Sequence, residues 1–386
     1  MPYVPPHRRL AEEGQSSSWP TDLPLSVNRF NNNDNKKKHS YGRGRIVVDI
    51  KYARNNIRKW FAIDGNINPP SNLLLEFKPY PGESFAHLCD EKLYAISANP
   101  SPVDDVENNL RSLAIDEAHP WKYMWEKIKD DLREAFQNVE SYVEMSKPDY
   151  AKISFSARLG KILFHGGGLA WHECVSADIL EKTLKGERGL QNSLKKTFDT
   201  HIPKEVFEPL KNKSISGLAT TKIKEKETFL IEVEDNLKPD VILRLTCCKK
   251  GTDGKQLELK KIKLAPVRHF VADISCLNKM IDMRLIVVTE KYLTELSEED
   301  KECIEGIVKS ACLEESVKGG LHWPLGDSVR DRFEVKGSWH VNATSIVGES
   351  WNLKFRRVNR IEFNTSSGRV SNEVNLKLKS IAKILR

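Results

Sequence analysis

Between residue 150 and the carboxyl end, apolar and polar residues alternate with a period of two in several separate stretches. Leu257 and Leu259 alternate with Glu258 and Lys260, and Phe333, Val335, Gly337, Trp339 and Val341 with Glu334, Lys336, Ser338 and His340. Trp351, Leu353 and Phe355 alternate with Asn352, Lys354 and Arg356, and Val374, Leu376 and Leu378 with Asn375 and Lys377. Such alternation predicts strands with one apolar and one wet face, as in antiparallel sheets and unlike the buried strands of a doubly wound parallel sheet. Ile153–Phe164 reads as a further strand, broken at Gly160. Ser176–Lys196 reads as a helix with Ile179, Leu180, Leu184, Leu190 and Leu194 inward. A second helix starts after Ser297, whose hydroxyl suits an N-cap, and carries the stripe Ile304, Ile307, Val308, Ala311 and Cys312.

Upstream, Arg45–Lys51 and Leu73–Phe77 read as strands separated by Gly65, Pro69 and Pro70, and Val103–Ala114 as a helix. The stronger helical pattern is Trp121–Val143. There Trp121, Met124, Trp125, Ile128, Leu132, Phe136, Val139 and Val143 fall on one face, with Pro120 at the first turn and Pro148 beyond the end. The predicted fold class is α+β, an antiparallel sheet or barrel with a few packed helices behind a disordered basic amino-terminal arm. Three parts are expected: the arm at 1–42, an α+β segment at 43–148 and a β-rich domain at 149–386.

Charge supports the arm. The 386 residues hold 61 Lys and Arg against 54 Asp and Glu, a balance of +7. Residues 1–60 alone hold twelve bases and five acids, 12 − 5 = +7, so the rest of the chain is neutral. Lys36, Lys37, Lys38, Arg43 and Arg45 are flanked by serines and asparagines with almost nothing to bury. A cationic arm of this kind suits RNA or another polyanion, because Lys and Arg displace counterions from phosphate; it also suits a plain solubilising tail. No apolar run approaches the roughly 20 residues needed to cross a bilayer, and the amino end lacks a secretory pattern. The expected setting is the nucleus or cytoplasm, with no membrane partner.

The reactive residue types form no complete constellation. The seven cysteines contain no zinc-type spacing, and Cys247 and Cys248 point to opposite faces of any strand, so buried reduced thiols are expected. His165-Gly166-Gly167-Gly168 resembles an oxyanion-hole loop, yet no G-x-S-x-G elbow accompanies it. There is no Walker motif and no G-x-G-x-x-G. Accordingly no catalytic residue, metal or cofactor is expected. Gly319–Gly326 places His322 and Trp323 among glycines, which fits either a ligand-stacking pocket or a buried aromatic anchor.

Two resemblances add to this reading. Met1–Arg9 (MPYVPPHRR), Val267–Cys276 (VRHFVADISC), Val317–Gly326 (VKGGLHWPLG) and Gly337–His340 (GSWH) resemble blocks of an uncharacterised plant protein family of no established activity. Tyr3–Arg8 is also similar to a segment in the amino tails of a group of DEAD-box helicases, a hint toward RNA-linked partners. In the carboxy half, Ser154–Gly160, His201–Phe207, Arg244–Thr246, Lys261 and Asp282–Glu290 follow an order that resembles triphosphatase tunnel enzymes. That resemblance implies an eight-stranded antiparallel barrel with Arg158, Arg244, Lys261 and Arg284 facing a triphosphate. It places Ser154 and Ser156 where a metal-binding glutamate pair would stand, and the strand around Glu373, Asn375 and Lys377 is also poor in acids. The barrel of Mediator head subunits, similar in kind, serves only as a scaffold. Two functions stay open: a non-enzymatic binding protein for an unknown protein partner, associated with RNA through its arm, or a phosphohydrolase of the tunnel type.

Overall fold

The computed structural model describes residues 51–63, 73–80, 92–98, 120–144, 151–166, 174–185, 194–217, 222–251, 256–277, 279–293, 296–324, 326, 328, 332–363 and 367–379. The chain divides into Met1–Lys38 and His39–Arg386, and every described residue belongs to the second unit. The arm with Lys36, Lys37, Lys38, Arg43 and Arg45, and the helix expected at 103–114, lie outside the described residues.

The strands are β1 (Lys51–Ile63), β2 (Leu74–Pro79), β3 (Tyr94–Ala98), β4 (Ala151–His165), β5 (Val175–Ser176), β6 (Lys195–Asp199), β7 (Lys222–Asp235) and β8 (Lys238–Lys250). They continue as β9 (Gln256–Leu264), β10 (Val267–Cys276), β11 (Asp282–Lys291), β12 (Cys312–Leu313), β13 (Leu321–His322), β14 (Phe333–Val347), β15 (Trp351–Glu362) and β16 (Ser367–Leu378). Helices are α1 (Pro120–Glu144), α2 (Ala177–Lys185), α3 (Lys204–Gly217) and α4 (Glu298–Ser310).

One sheet runs β1-β10-β11-β4-β16-β15-β14-β7-β8-β9. Its far end returns on itself: Lys263 of β9 bridges to Tyr292, and the Leu293 amide donates to the Ile262 carbonyl at 3.1 Å. The eight strands β11, β4, β16, β15, β14, β7, β8 and β9 therefore close into an antiparallel barrel. β10 continues the sheet beside β11, and β1 adds to β10 in parallel, the one parallel pairing among the described strands. The segment expected at 43–148 thus contributes β1 and α1 to the same sheet and core as β10 and β11.

The barrel's outer face is apolar and covered by helices. Helix α4 is capped by Ser297, whose hydroxyl accepts from the Asp300 amide at 3.1 Å, and it buries Ile304, Ile307 and Val308 against Phe229, Ile231, Leu243, Leu245 and Phe333. Arg332 ties this helix to the barrel by pairing with both Asp235 and Asp300. Helix α1 lays Ile128, Leu132, Ala135, Phe136 and Val139 on Phe61, Phe155, Phe270, Leu285 and Val287. Trp125, expected on that face, is exposed instead. Helix α3 packs Phe207 on Phe355, Ile346 and Val374. A small sheet of β2, β3 and β5 with α2 covers Trp60, Ile162 and Phe164.

Several local expectations are corrected. Helix α3 carries Pro209 and only a thin apolar stripe, so the sequence pattern does not predict it. The helix expected to reach Lys196 is described over Ala177–Lys185, with Ile179 exposed, and Lys195–Asp199 is a strand. The strand expected at Arg45–Lys51 lies outside the described residues except for Lys51, which opens a strand running to Ile63. A bulge between Val335 and Gly337 switches the faces of β14, so His340 turns outward and stacks on Phe229, with centroids 4.6 Å apart, while Trp339 and Val341 turn inward. Of the thiols, Cys247 is buried and pushed up to about 12, whereas Cys174 is exposed.

Gly160 does not break its strand. It is where β4 changes partner, from β16 at residues 155–158 to β6 at residues 161–165. A Cβ there would fall on the Asp199 carbonyl oxygen and within 2.9 Å of the Phe198 ring. Gly160→Ala should therefore cost about 2–3 kcal/mol in urea unfolding by driving β6 from its seat; an unchanged midpoint would contradict this close approach.

Candidate anion-binding tunnel

In-register partners on neighbouring strands project to one face, which identifies the barrel's interior. One row runs Lys226, Ala343, Arg356, Glu373 across β7, β14, β15 and β16. Another runs Asn375, Arg158, Arg284, Asp273 across β16, β4, β11 and β10. The wet face of the period-two alternation is thus the inside of the barrel, and its lysines and arginines are gathered into one enclosure. The four bases expected from the tunnel resemblance, Arg158, Arg244, Lys261 and Arg284, all carry this inward register.

Their electrostatic states differ. Arg284 binds Asp273 with two donors, at 2.5 and 2.9 Å, and Lys196 reaches the same carboxylate at 2.5 Å. Burial pushes Asp273 up, but Arg284 and Lys196 outweigh it and hold the carboxyl at about 2. Arg244 pairs with Glu232 at 2.5 Å. Lys261 stands 5.9 Å from the Tyr292 ring centroid. Among the described residues Arg158 makes no ion pair, and its buried Nε has no hydrogen-bond partner. Burial and the like charges of Arg356, Arg268 and Arg284 push its guanidinium down to about 9, against the opposing pull of Glu373.

Around Arg158 the structure assembles residues that alternation alone did not single out. Glu373 is 5% exposed and accepts from Arg356 at 2.5 Å, from Arg360, and from Ser371 and Thr200 at 3.1 Å each. Burial raises its pKa, but Arg356, Arg360 and Arg158 hold it at about 2. Lys354 lies beside Arg356, Lys377 and Lys226, and burial with those three cations lowers its pKa. Lys263 and Lys377 share Glu290, at 2.9 and 3.8 Å. The signal for Lys354, Arg356 and Arg360 was present in β15, where they share one face, interrupted by Val358, opposite Leu353 and Phe355. What it could not reveal was that this face is enclosed.

The residues do not fit a divalent cation. Ser154 and Ser156 face the interior as neutral hydroxyls, Glu373 is saturated by arginines, and Asp273 by Arg284 and Lys196. Among the described residues, no group of three His, Cys, Asp or Glu is placed to hold a metal. His322 and Trp323 are elsewhere: Trp323 donates to the Ile307 carbonyl at 2.9 Å and packs edge-on against Phe363, on the outer face beneath α4. His322 is exposed and faces Glu314 at 3.4 Å. The glycines of that loop let it seat on β14: Gly319 and Gly320 have φ of 81° and 70°, and Gly319 donates to Asn359 at 3.0 Å. Among the described residues no helix is long and apolar enough to cross a membrane.

Fold and site together define a closed antiparallel barrel with a cationic interior and an apolar, helix-covered exterior. The chain belongs to the family described as a domain of unknown function, DUF7903, whose profile matches residues 45–386. No curated protein matches it. It is similar to the Schizosaccharomyces pombe Pct1 RNA triphosphatase in complex with the Spt5 CTD, at 12% identity and a TM-score of 0.39, covering 66% of this chain and 82% of that one. The S. pombe Pct1 structure solved alone gives 10% identity and 0.37, covering 66% and 81%. A Bacillus halodurans putative adenylate cyclase gives 14% and 0.22, covering 46% and 76%.

A second carboxylate shows the field of the enclosure at its other end. Glu362 has a buried oxygen with no partner, and burial together with Glu232 raises its pKa to about 7, opposed by Arg360. Folding therefore takes up a proton between the ordinary 4.5 and about 7, and stability falls as pH rises through that window. Glu362→Gln should flatten this slope and stabilise the protein at pH 8 by roughly 1–2 kcal/mol after solvent screening. Urea midpoints at pH 5 and pH 8 measure it; equal pH dependence in both proteins would refute it.

Proposed function

We propose that this protein binds a phosphate-rich anion inside its barrel and does not hydrolyse it. The observation that carries the reading is Arg158, an enclosed guanidinium without a carboxylate partner, surrounded by Arg356, Arg268 and Arg284. Gathering like charges in a partly desolvated space is unfavourable unless a ligand compensates them. Guanidinium forks match phosphate oxygens with paired, charge-assisted hydrogen bonds, and the neighbouring ammonium of Lys354 adds a point charge. A compact oligophosphate fits this donor set better than a protein segment does, because its negative charge is concentrated over a few atoms.

Hydrolysis of such a ligand through a divalent metal would require carboxylates free to hold the ion. Here Glu373 and Asp273 are each occupied by two cations, and the serines at 154 and 156 supply no charge. The role that follows is sequestration or presentation of the anion, in the manner of a binding scaffold. The +7 balance of the first sixty residues would add salt-sensitive attraction to the same class of ligand.

Isothermal titration with tripolyphosphate tests the reading. Wild-type protein should bind it, with affinity falling as salt rises, and should release no phosphate in Mg²⁺ or Mn²⁺. Arg158→Met should abolish measurable binding while raising the melting temperature of the unliganded protein, by roughly 1–3 kcal/mol in stability, since it removes an uncompensated charge. Absence of binding by the wild type, metal-dependent phosphate release, or an Arg158→Met variant that binds normally would each overturn the proposal.

A further inference from the structure

The cationic lining does not stop at the barrel wall. On the same sheet face, β10 and β1 carry Arg268 and Arg58 beside Arg284. Arg268 is near enough to Arg158 to lower its pKa, and Arg58 near enough to Lys196 to do the same there. Among the described residues neither Arg58 nor Arg268 makes an ion pair. What they share is an aromatic ring: the Arg58 guanidinium lies 3.8 Å from the Tyr52 ring centroid, and that of Arg268 lies 5.7 Å from it. Arg268 Nη1 also donates to the Tyr52 hydroxyl at 3.4 Å. With the Asn56 amide turned so that its oxygen accepts, Arg58 Nε donates to it at 2.9 Å.

Tyr52 therefore does what a carboxylate does elsewhere in this sheet. Asp273 and Glu373 hold their arginines by accepting their N–H groups, which consumes the donors. A ring holds a guanidinium by its π face and leaves the donors at the edge free. Two guanidiniums are thereby kept side by side with unspent hydrogen-bond capacity, at a position 36% exposed at Tyr52 and continuous with the tunnel lining.

We propose that Arg58 and Arg268, held on Tyr52, form a second anion subsite beside the tunnel, which takes a further phosphate of a phosphate chain running out from the Arg158 cluster. The inference rests on the tunnel reading and adds to it the length of the ligand. A bare phosphate chain is favoured over a nucleic acid because, among the described residues beside this pair, no aromatic face is offered for a base: guanidiniums occupy the Tyr52 ring, and Trp60 is buried, donating to Ser275 Oγ at 3.0 Å.

The test titrates the full chain, as wild type and as the Arg58→Ala/Arg268→Ala double variant, with tripolyphosphate, a longer linear polyphosphate and a single-stranded oligonucleotide. Wild type is expected to bind the longer polyphosphate about tenfold more tightly than tripolyphosphate. The double variant should lose that gain, and Arg58→Ala alone, which lies outside the Arg158 cluster, should lose part of it while tripolyphosphate affinity stays within about twofold, which also shows that it is folded. Arg58→Lys/Arg268→Lys, which keeps charge but not the planar stack, should retain only part of the gain. Equal affinity of wild type for the two chain lengths would overturn the subsite and leave the tunnel reading intact. Binding of only the longer chain, lost in the double variant, would sustain the subsite and remove the tunnel reading. A loss confined to the oligonucleotide would overturn the phosphate-chain assignment, and no binding of any ligand would end both.

Discussion

The structure depends on how it compensates charge on the inside of a closed sheet. Eight strands with one apolar and one polar face can close in two ways, and here the apolar face is outside. That choice needs helices to cover the exterior, and α1, α3 and α4 supply the cover from different sides. It also needs acids to balance the interior, and these are fewer than the bases. Glu373 and Asp273 each anchor two cations and are held at about 2 as a result. The strength of those two anchors sets a limit: they tie down Arg356, Arg360, Arg284 and Lys196 and leave nothing for Arg158 or Lys354.

This imbalance links fold to function. A buried carboxylate that is already saturated holds the barrel together but cannot bind a metal or act as a base. An enclosed guanidinium without a carboxylate partner is unfavourable where it stands, and on the proposed reading an anion compensates it. On that reading the same residues favour binding over hydrolysis, and occupancy and stability are coupled by mass action.

Much of the architecture was legible along the chain. The alternation at 333–341, 351–356 and 374–378, the amphipathic face of Trp121–Val143, and the Ser297 cap all correspond to elements found. Where reading failed, a tertiary contact decided. Gly160 looks like a break, but is a strand residue at which another strand approaches too closely for a side chain. Gly319–Gly326 allowed either a pocket or an aromatic anchor, and the tertiary contact decides for the anchor: the glycines let a turn seat on β14 while the indole fills space under α4. The bulge after Val335 reverses the faces of β14, and a one-residue insertion of that kind leaves no mark in composition.

Local physics thus settled which stretches extend and which coil, because period and capping act between residues close in sequence. It also settled that the folded part has a near-neutral balance, and it marked Arg158 and Arg284 as candidates through their order along the chain. It had no means of stating which side of a two-faced strand becomes interior. A polar face facing water and a polar face enclosed by seven other strands are written in the same residues, and only closure of the sheet distinguishes them. Neighbouring hairpin strands set the acid–base pairs, Asp273 with Arg284 across β10 and β11 and Glu373 with Arg356 and Arg360 across β15 and β16, whereas Arg158 is brought among them by β4, which pairs with β11 and β16 from a distant part of the chain.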